Sequence, residues 1–236
     1  MKLCYMYDDA FIPLRDNFLA SIKDDFELIS LVLNKPKFSS NPNMSDLYGG
    51  GIDVWLEKLK YLLRIMDQCK PNEYFIYSDI DIVFFKPIIS TIKNILGDRD
   101  VLFLREIPDG LVPWQGGEGV PGNCNTGFCV IKSCDKTRKF FQDVLSVIET
   151  TKLMDQTVVN KILFGDQTVV NKILFGDPTY DLNWGVLPLE FTTTSFIHNN
   201  QVNNKSLMFH AICCVDQQEK LNLLRQATDL ANLCIA

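Results

Sequence analysis

The chain has 236 residues, a net charge of −6 and a pI of about 5.0. That balance excludes a protein that wraps nucleic acid or coats an anionic membrane. Hydrophobic residues make up 47% and charged residues 22%, so global disorder is excluded and a core can form without covalent staples.

The length suits one domain spanning residues 1–236. Eight cysteines and two histidines are present. The cysteine spacing matches no zinc signature, which leaves small buried thiols in a reducing compartment. The opening MKLCYMYDDAF meets Asp8 and Asp9 too early for a secretory core. No apolar run approaches the ~20 residues that span a bilayer. The expectation is a soluble, cytoplasmic protein.

Residues 2–7 (KLCYMY) predict a buried first strand that ends in an acidic turn. A helix is expected from Asp16 to Lys23, with Phe18, Leu19 and Ile22 on one face. FELISLV at 26–32, continuing to Leu33, predicts a second strand, and the Pro-, Ser-, Asn- and Gly-rich residues 36–51 a loop. From Ile52 to Met66 apolar residues recur at three- and four-residue steps, a strong amphipathic helix. YFIYSDIDIVFF (74–85) is apolar on both sides of two aspartates, as in a strand buried on both faces. Pro87 opens a short helix to Leu96, and VLFL (101–104) is the next strand.

Residues 107–126 are rich in Gly and Pro and too long for a simple connection, so they predict a functional loop. A strand GFCVIK (127–132) and a helix from Lys136 to Thr150 follow. The alternation predicts an α/β fold with a mixed, mainly parallel sheet and helices on both faces. DQTVVNKILFG then occurs twice in succession, at 155–165 and 166–176. Two short copies do not make a solenoid, so they read as a local tandem duplication. WGVLPLEF (184–191), LMFHAICC (207–214) and a helix from Gln217 to Leu233 complete the chain.

Asp79 and Asp81 are the sharpest chemical feature. Two residues apart, they would share one face of a strand at its C-terminal tip. Two carboxylates in apolar surroundings repel and are costly to desolvate; a divalent cation removes that cost. Ligands of open α/β sheets also bind just outside the carboxyl ends of strands. Hard carboxylates with one imidazole suit Mg²⁺ or Mn²⁺, and His210, after the apolar LMF, is a candidate for the imidazole.

Taken in order, these segments resemble the GT-A glycosyltransferases, the nucleotide-diphospho-sugar transferases. YMYDD (5–9) resembles the first strand and turn that hold the nucleotide base. WLEK (55–58) resembles the W-x-x-K helix, YSDID (77–81) the D-x-D strand, and NTGFCVIK (125–132) the segment behind the acceptor site. DQTVVN resembles the D-Q-x-x-x-N helix start, WGVLPLEF the W-x-x-L-P-x-x-F strand, and FHA (209–211) the C-terminal metal histidine. The small size further resembles the capsid-glycan transferases of large algal viruses, which would place the protein in an infected host cell.

The resemblance implies Mn²⁺ or Mg²⁺ on Asp79, Asp81 and His210, with Asp79 also near the donor ribose. It implies Tyr7, Asp8 and Asp9 at the base or ribose, Lys58 and Lys220 at sugar or phosphates, and Asn125, Thr126 and Gly127 beside the donor sugar. Trp114 to Gly119 would be a lid. Asp-Gln at the start of the repeated helix would face the reacting carbon. Asp155-Gln156 keeps its spacing to NTGF and Asp166-Gln167 its spacing to LPLEF; both qualify, and Asp166 is favoured, with the first copy displaced. The expected partners are a UDP-sugar donor, with UDP-rhamnose a candidate, and a glycan or glycoprotein acceptor. No carboxylate stands out as a general base, which tilts the reading towards retention.

Two rivals remain at this level. In a haloacid-dehalogenase-type phosphohydrolase Asp79 would be the nucleophile and Asp81 the acid, while Asp177 and Asp181 of GDPTYD would hold Mg²⁺. Alternatively, the duplication has left a non-catalytic nucleotide-binding module.

Overall fold

The computed structural model describes residues 1–33, 51–105, 124–163, 181–193, 202–212 and 216–234. The expected loop at 36–51, all but the end of the one at 107–126, the second repeat copy, Asp177, Cys213 and Cys214 lie outside or nearly outside these residues. The elements in chain order are β1 (Lys2–Tyr7), a 3₁₀ turn (Asp9–Phe11), α1 (Ile12–Ser21), β2 (Glu27–Val32), α2 (Gly51–Gln68), β3 (Tyr74–Ser78) and β4 (Ile82–Phe84). There follow α3 (Ile89–Leu96), β5 (Val101–Arg105), β6 (Cys124–Lys132), α4 (Asp135–Thr151) and α5 (Asp155–Leu163). Last come β7 (Trp184–Val186), β8 (Phe191–Thr193), β9 (Met208–His210) and α6 (Gln217–Leu233).

Six strands form the central sheet in the order β2-β1-β3-β6-β5-β7. All run the same way except β6, which is antiparallel to both β3 and β5. The mixed, mainly parallel α/β sheet expected from the sequence is therefore present. The side chains alternate as a buried sheet requires. Phe75 and Tyr77 of β3 join Leu59, Leu62, Met66, Phe140, Val144 and Val158 of α2, α4 and α5 on one face. Ile76, Phe128 and Val130 join Phe18 of α1 and Ile92 of α3 on the other.

Four local expectations change. Helix α1 starts at Ile12 rather than Asp16, because Pro13 sits in its first turn, where a missing N–H costs nothing. The apolar run 74–85 is not one strand: it breaks after Ser78 and resumes at Ile82 in a second, three-stranded sheet of order β4-β9-β8. WGVLPLEF is likewise split around Pro188, with β7 in the first sheet and β8 in the second. Strand β6 begins three residues earlier than expected, at Cys124.

Asp24 of the segment after α1 caps α3 from a distance; its Oδ2 accepts from Ile88 N at 2.6 Å. Helix α6 packs Leu224, Ala227 and Ala231 against Val83, Phe209 and Leu14, closing the second sheet from outside. The six described cysteines are free thiols, and burial pushes the Cys4 thiol up to about 12. Among the described residues no helix is long and apolar enough to cross a membrane.

Candidate active site

The break between β3 and β4 builds the site. Strand β3 pairs with β6 up to Ser78 opposite Phe128, and the next bond, Asp79 N to Gly127 O at 2.6 Å, brings Gly127 against Asp79. Strand β4 then pairs with β9, with Ile82 opposite His210, and Ala211 N donates to Asp81 O at 2.9 Å. The two aspartates thus lie at the crossing between two sheets, and each sheet delivers one further residue to them. The ligand atoms of Asp79, Asp81 and His210 all lie within 4.8 Å of one another. This is the trio expected from the sequence.

Gly127 is required by space rather than by backbone angle. A Cβ there would stand 2.3 Å from His210 Cε1, 2.7 Å from Asp79 Oδ2 and 2.9 Å from Asn125 Oδ1. Strand β6 is also irregular here. Its register against β5 jumps, with Phe103 facing Cys129 and Leu104 facing Asn125. Such a bulge redirects the chain, as bulges beside functional sites commonly do. The Asn125 side chain accepts from Gly127 N at 2.8 Å and holds that turn of strand.

Two clusters of charge meet at the trio. His210 Nε2 and Asp81 Oδ1 share a hydrogen bond of 3.1 Å, and Lys220, from the first turn of α6, pairs with Asp81 Oδ2. Burial raises the Asp81 carboxyl, but Lys220 and then His210 outweigh it and hold it well below the carboxylate range. Burial raises the Asp79 carboxyl above its ordinary value; Lys58 opposes the rise and Asp81 adds to it.

Lys58 projects from the sheet-facing side of α2, three residues after Trp55, and is only 6% exposed. Its Nζ lies 3.0 Å from Asp155 Oδ2 and 3.8 Å from Asp79 Oδ1, and donates to Thr126 Oγ1 at 3.3 Å. Thr126 in turn donates to Asp155 Oδ2 at 3.0 Å. Burial lowers the Lys58 ammonium, yet Asp155 and Asp79 outweigh it and hold it above the lysine value. A charged group this deep is tolerable only with such partners.

Asp155 of the first repeat copy lies in this cluster, whereas the sequence favours Asp166 for the site. The short link from α4 brings Asp155 there. Lys152 ends that helix in the left-handed conformation, φ 59°, and the chain turns straight back into α5. Asn160 then pins α5 to β6: its Oδ1 accepts from Cys124 N at 3.2 Å, and its Nδ2 donates to Cys124 O at 2.8 Å. Gln156 begins the same helix and is partly buried. Asp166 and Gln167 lie outside the described residues. The bonds of Asp155 and Asn160 to Lys58, Thr126 and Cys124 are made by residues that a chain lacking 166–176 would keep. That deletion variant is therefore expected to fold, to melt no lower than the parent and to be at least as active. An unfolded or inert deletion variant would show that both copies are needed.

Tyr7, Asp8 and Asp9 lie at the end of β1, beside the end of β3, since Tyr5 pairs with Ser78. Asp8 has a structural task already: it accepts from Ala10 N at 2.8 Å and caps the 3₁₀ turn. Asp9 is exposed. Arg15 lies over the Tyr7 ring at 4.8 Å and donates to its hydroxyl at 3.2 Å. Asp181, a magnesium ligand in the phosphohydrolase reading, is an exposed partner of Lys136.

Asn160 and Tyr77 belong to this site but stand in the sequence only as parts of DQTVVN and YFIYS. The available signal for Tyr77 was the two-residue strand period, which puts it on the same side as Asp79.

The mixed sheet that ends in this Asp-x-Asp pair, with a histidine from a second sheet beside it, has the fold of the GT-A glycosyltransferases. The sequence model of the nucleotide-diphospho-sugar transferases matches residues 48–224, and the chain belongs to that family of glycosyltransferases. Solved structures agree on the fold. A glycosyltransferase involved in the glycosylation of the major capsid of PBCV-1 superposes with a TM-score of 0.56 at 12% identity, covering 96% of this chain and 100% of that one. The galactosyltransferase LgtC, solved with donor and acceptor sugar analogs, gives 0.54 at 13% identity, covering 100% and 97%. GlyE of Streptococcus pneumoniae gives 0.53 at 13% identity over 92% of this chain, which spans 56% of GlyE's length. A search of curated protein sequences finds no match.

Proposed function

We propose that residues 1–236 act as one GT-A domain that moves a hexose-type sugar from a nucleoside diphosphate donor, UDP first among candidates, to a glycan acceptor, with Mn²⁺ or Mg²⁺ bound. The observation that carries this reading is the convergence of Asp79, Asp81 and His210 within 4.8 Å. The donor set fits a hard divalent ion: two carboxylates and one imidazole, with no thiolate among them. The local charge fits as well. Asp79, Asp81 and Asp155 face the ammonium groups of Lys58 and Lys220, so in this cluster of described residues carboxylates outnumber fixed cations. When bound, the metal would neutralise charge on the departing nucleoside diphosphate.

The chain's own residues have separate tasks in this proposal. Asp79, Asp81 and His210 hold the ion. Lys220, already beside Asp81, presents an ammonium to the diphosphate. Tyr7 and Asp9, at the neighbouring strand end, meet the base or ribose. Lys58 orders Asp155 and Thr126, and Asp155 with Gln156 stands towards the donor sugar beside Asn125 and Gly127. UDP-rhamnose is one candidate among the UDP-sugar donors, and membership of the family supports a glycan acceptor.

The direct test is incubation with Mn²⁺ or Mg²⁺ and a panel of nucleotide sugars, with released nucleoside diphosphate as the readout. Turnover is expected to need the metal, to stop with a chelator and to return when metal is added back. Hydrolysis of phosphate esters without sugar transfer would favour the phosphohydrolase. Metal-dependent nucleotide binding with no turnover on any donor would favour a binding module.

A further inference from the structure

We propose that Tyr77 is a positioning residue for metal capture: it fixes the Asp79 carboxylate so that one oxygen is held by protein and the other faces the shared space beside His210. This rests on the metal-dependent reading above and deepens it. Tyr77 is 2% exposed, on the face of β3 that packs against α2. Its hydroxyl donates to Asp79 Oδ1 at 2.7 Å. Lys58 Nζ sits 4.8 Å over its ring and 3.8 Å from the same Oδ1. Asp79 Oδ1 is thus engaged from below by a neutral donor and from the side by a cation.

Asp79 Oδ2 has a different outlook. It lies 2.7 Å from the point where a Cβ on Gly127 would stand, and His210 Cε1 lies 2.3 Å from that same point. Oδ2 and the imidazole therefore border one small space, kept open by the missing Cβ. A carboxylate rotates easily about its last bond, and Lys58 alone would attract either oxygen. The Tyr77 hydroxyl removes that freedom, because it reaches one oxygen only. Groups that orient metal ligands in this way typically change metal affinity by 10–100-fold when removed.

The test is Mn²⁺ binding without nucleotide, measured from the spectrum of free Mn²⁺, on the parent, Tyr77→Phe and Tyr61→Phe. Tyr61 is the matched control: it is also buried, and its hydroxyl donates to Ile29 O at 2.8 Å, away from the trio. Tyr77→Phe is expected to weaken Mn²⁺ binding by about 10-fold or more. Tyr61→Phe is expected to leave it unchanged while lowering the melting temperature at least as much. In turnover assays Tyr77→Phe should raise the Mn²⁺ concentration needed for half-maximal rate, with the rate at saturating Mn²⁺ close to the parent's. Equal Mn²⁺ affinity in the parent and Tyr77→Phe overturns the inference while leaving the metal site standing. Equal weakening in both variants also overturns it, since the effect would then be loss of a buried hydroxyl in general. A parent that binds no Mn²⁺ removes the metal-dependent reading itself.

Discussion

Asp81→Asn is expected to lower turnover by about 10²–10³-fold, the range for removing one placed electrostatic contact to developing charge. The carboxylate is engaged on both oxygens, by His210 on Oδ1 and Lys220 on Oδ2. An amide of the same shape keeps the volume but loses the charge that a divalent ion and Lys220 both need. The pH behaviour follows from the direction of the shift. Burial raises Asp81, but Lys220 and His210 outweigh it, so folding favours the ionised form. That stabilisation is fully present above the unfolded aspartate value of about 3.9 and is lost as pH falls through the lower folded value. Between pH 5 and 8 Asp81 is ionised throughout. The ratio of parent to Asp81→Asn rates should therefore be flat as far as this group is concerned. Steady-state rates across that window, at fixed Mn²⁺, check both points; a variant with parental rate and intact metal dependence would remove Asp81 from the metal site.

Gly127→Ala should cost turnover about 10²-fold or more without unfolding the protein. The added methyl would meet His210, Asp79 and Asn125 at 2.3, 2.7 and 2.9 Å, far inside contact distance. All three belong to the site or to the strand that frames it, so any relaxation moves a candidate ligand. Shifts of about 1 Å in reacting groups cost ~10²-fold in rate. Overpacking of this kind costs about 1–3 kcal/mol of stability, which a domain of this size can tolerate. The measurements are kcat/KM with the melting temperature beside it, and Mn²⁺ affinity as the more local probe. A Gly127→Ala variant with parental kinetics would mean that the close approach of β6 to the trio is not needed.

Much of this arrangement was legible in the residues alone. Helix α6 runs over Gln217–Leu233, as its pattern predicts, and α2 follows its apolar stripe to within two residues. Both are local facts, because a helix face repeats within a few residues and needs no partner to be recognised. Asp79 and Asp81 stood out for a similar reason: charge inside a continuous apolar run demands a compensating partner wherever the run lies. His210 is a candidate from its apolar context and is strengthened by the ordered resemblance, and the pairing of β4 with β9 places it against Asp81.

Other features depended on partners distant in the chain. The run 74–85 is uniformly apolar, so nothing local marks that it leaves one sheet after Ser78 and enters another at Ile82. Only the competing pairings, β3 with β6 and β4 with β9, decide it. The reversed direction of β6 is equally invisible, since burial on both faces reads the same in either direction. No local pattern separates a Lys58 that serves the site from one on a solvated helix face; the seating of α2 on the sheet brings its ammonium to Asp155, Asp79 and Thr126. The two copies of DQTVVNKILFG are identical, so their own residues do not separate them. The short turn at Lys152 and the anchoring of Asn160 on Cys124 seat the first. The sequence by itself determined which side chains must be buried and which charges must find partners; the tertiary structure decided which partners they found, because pairing between strands and the seating of helices depend on the whole chain.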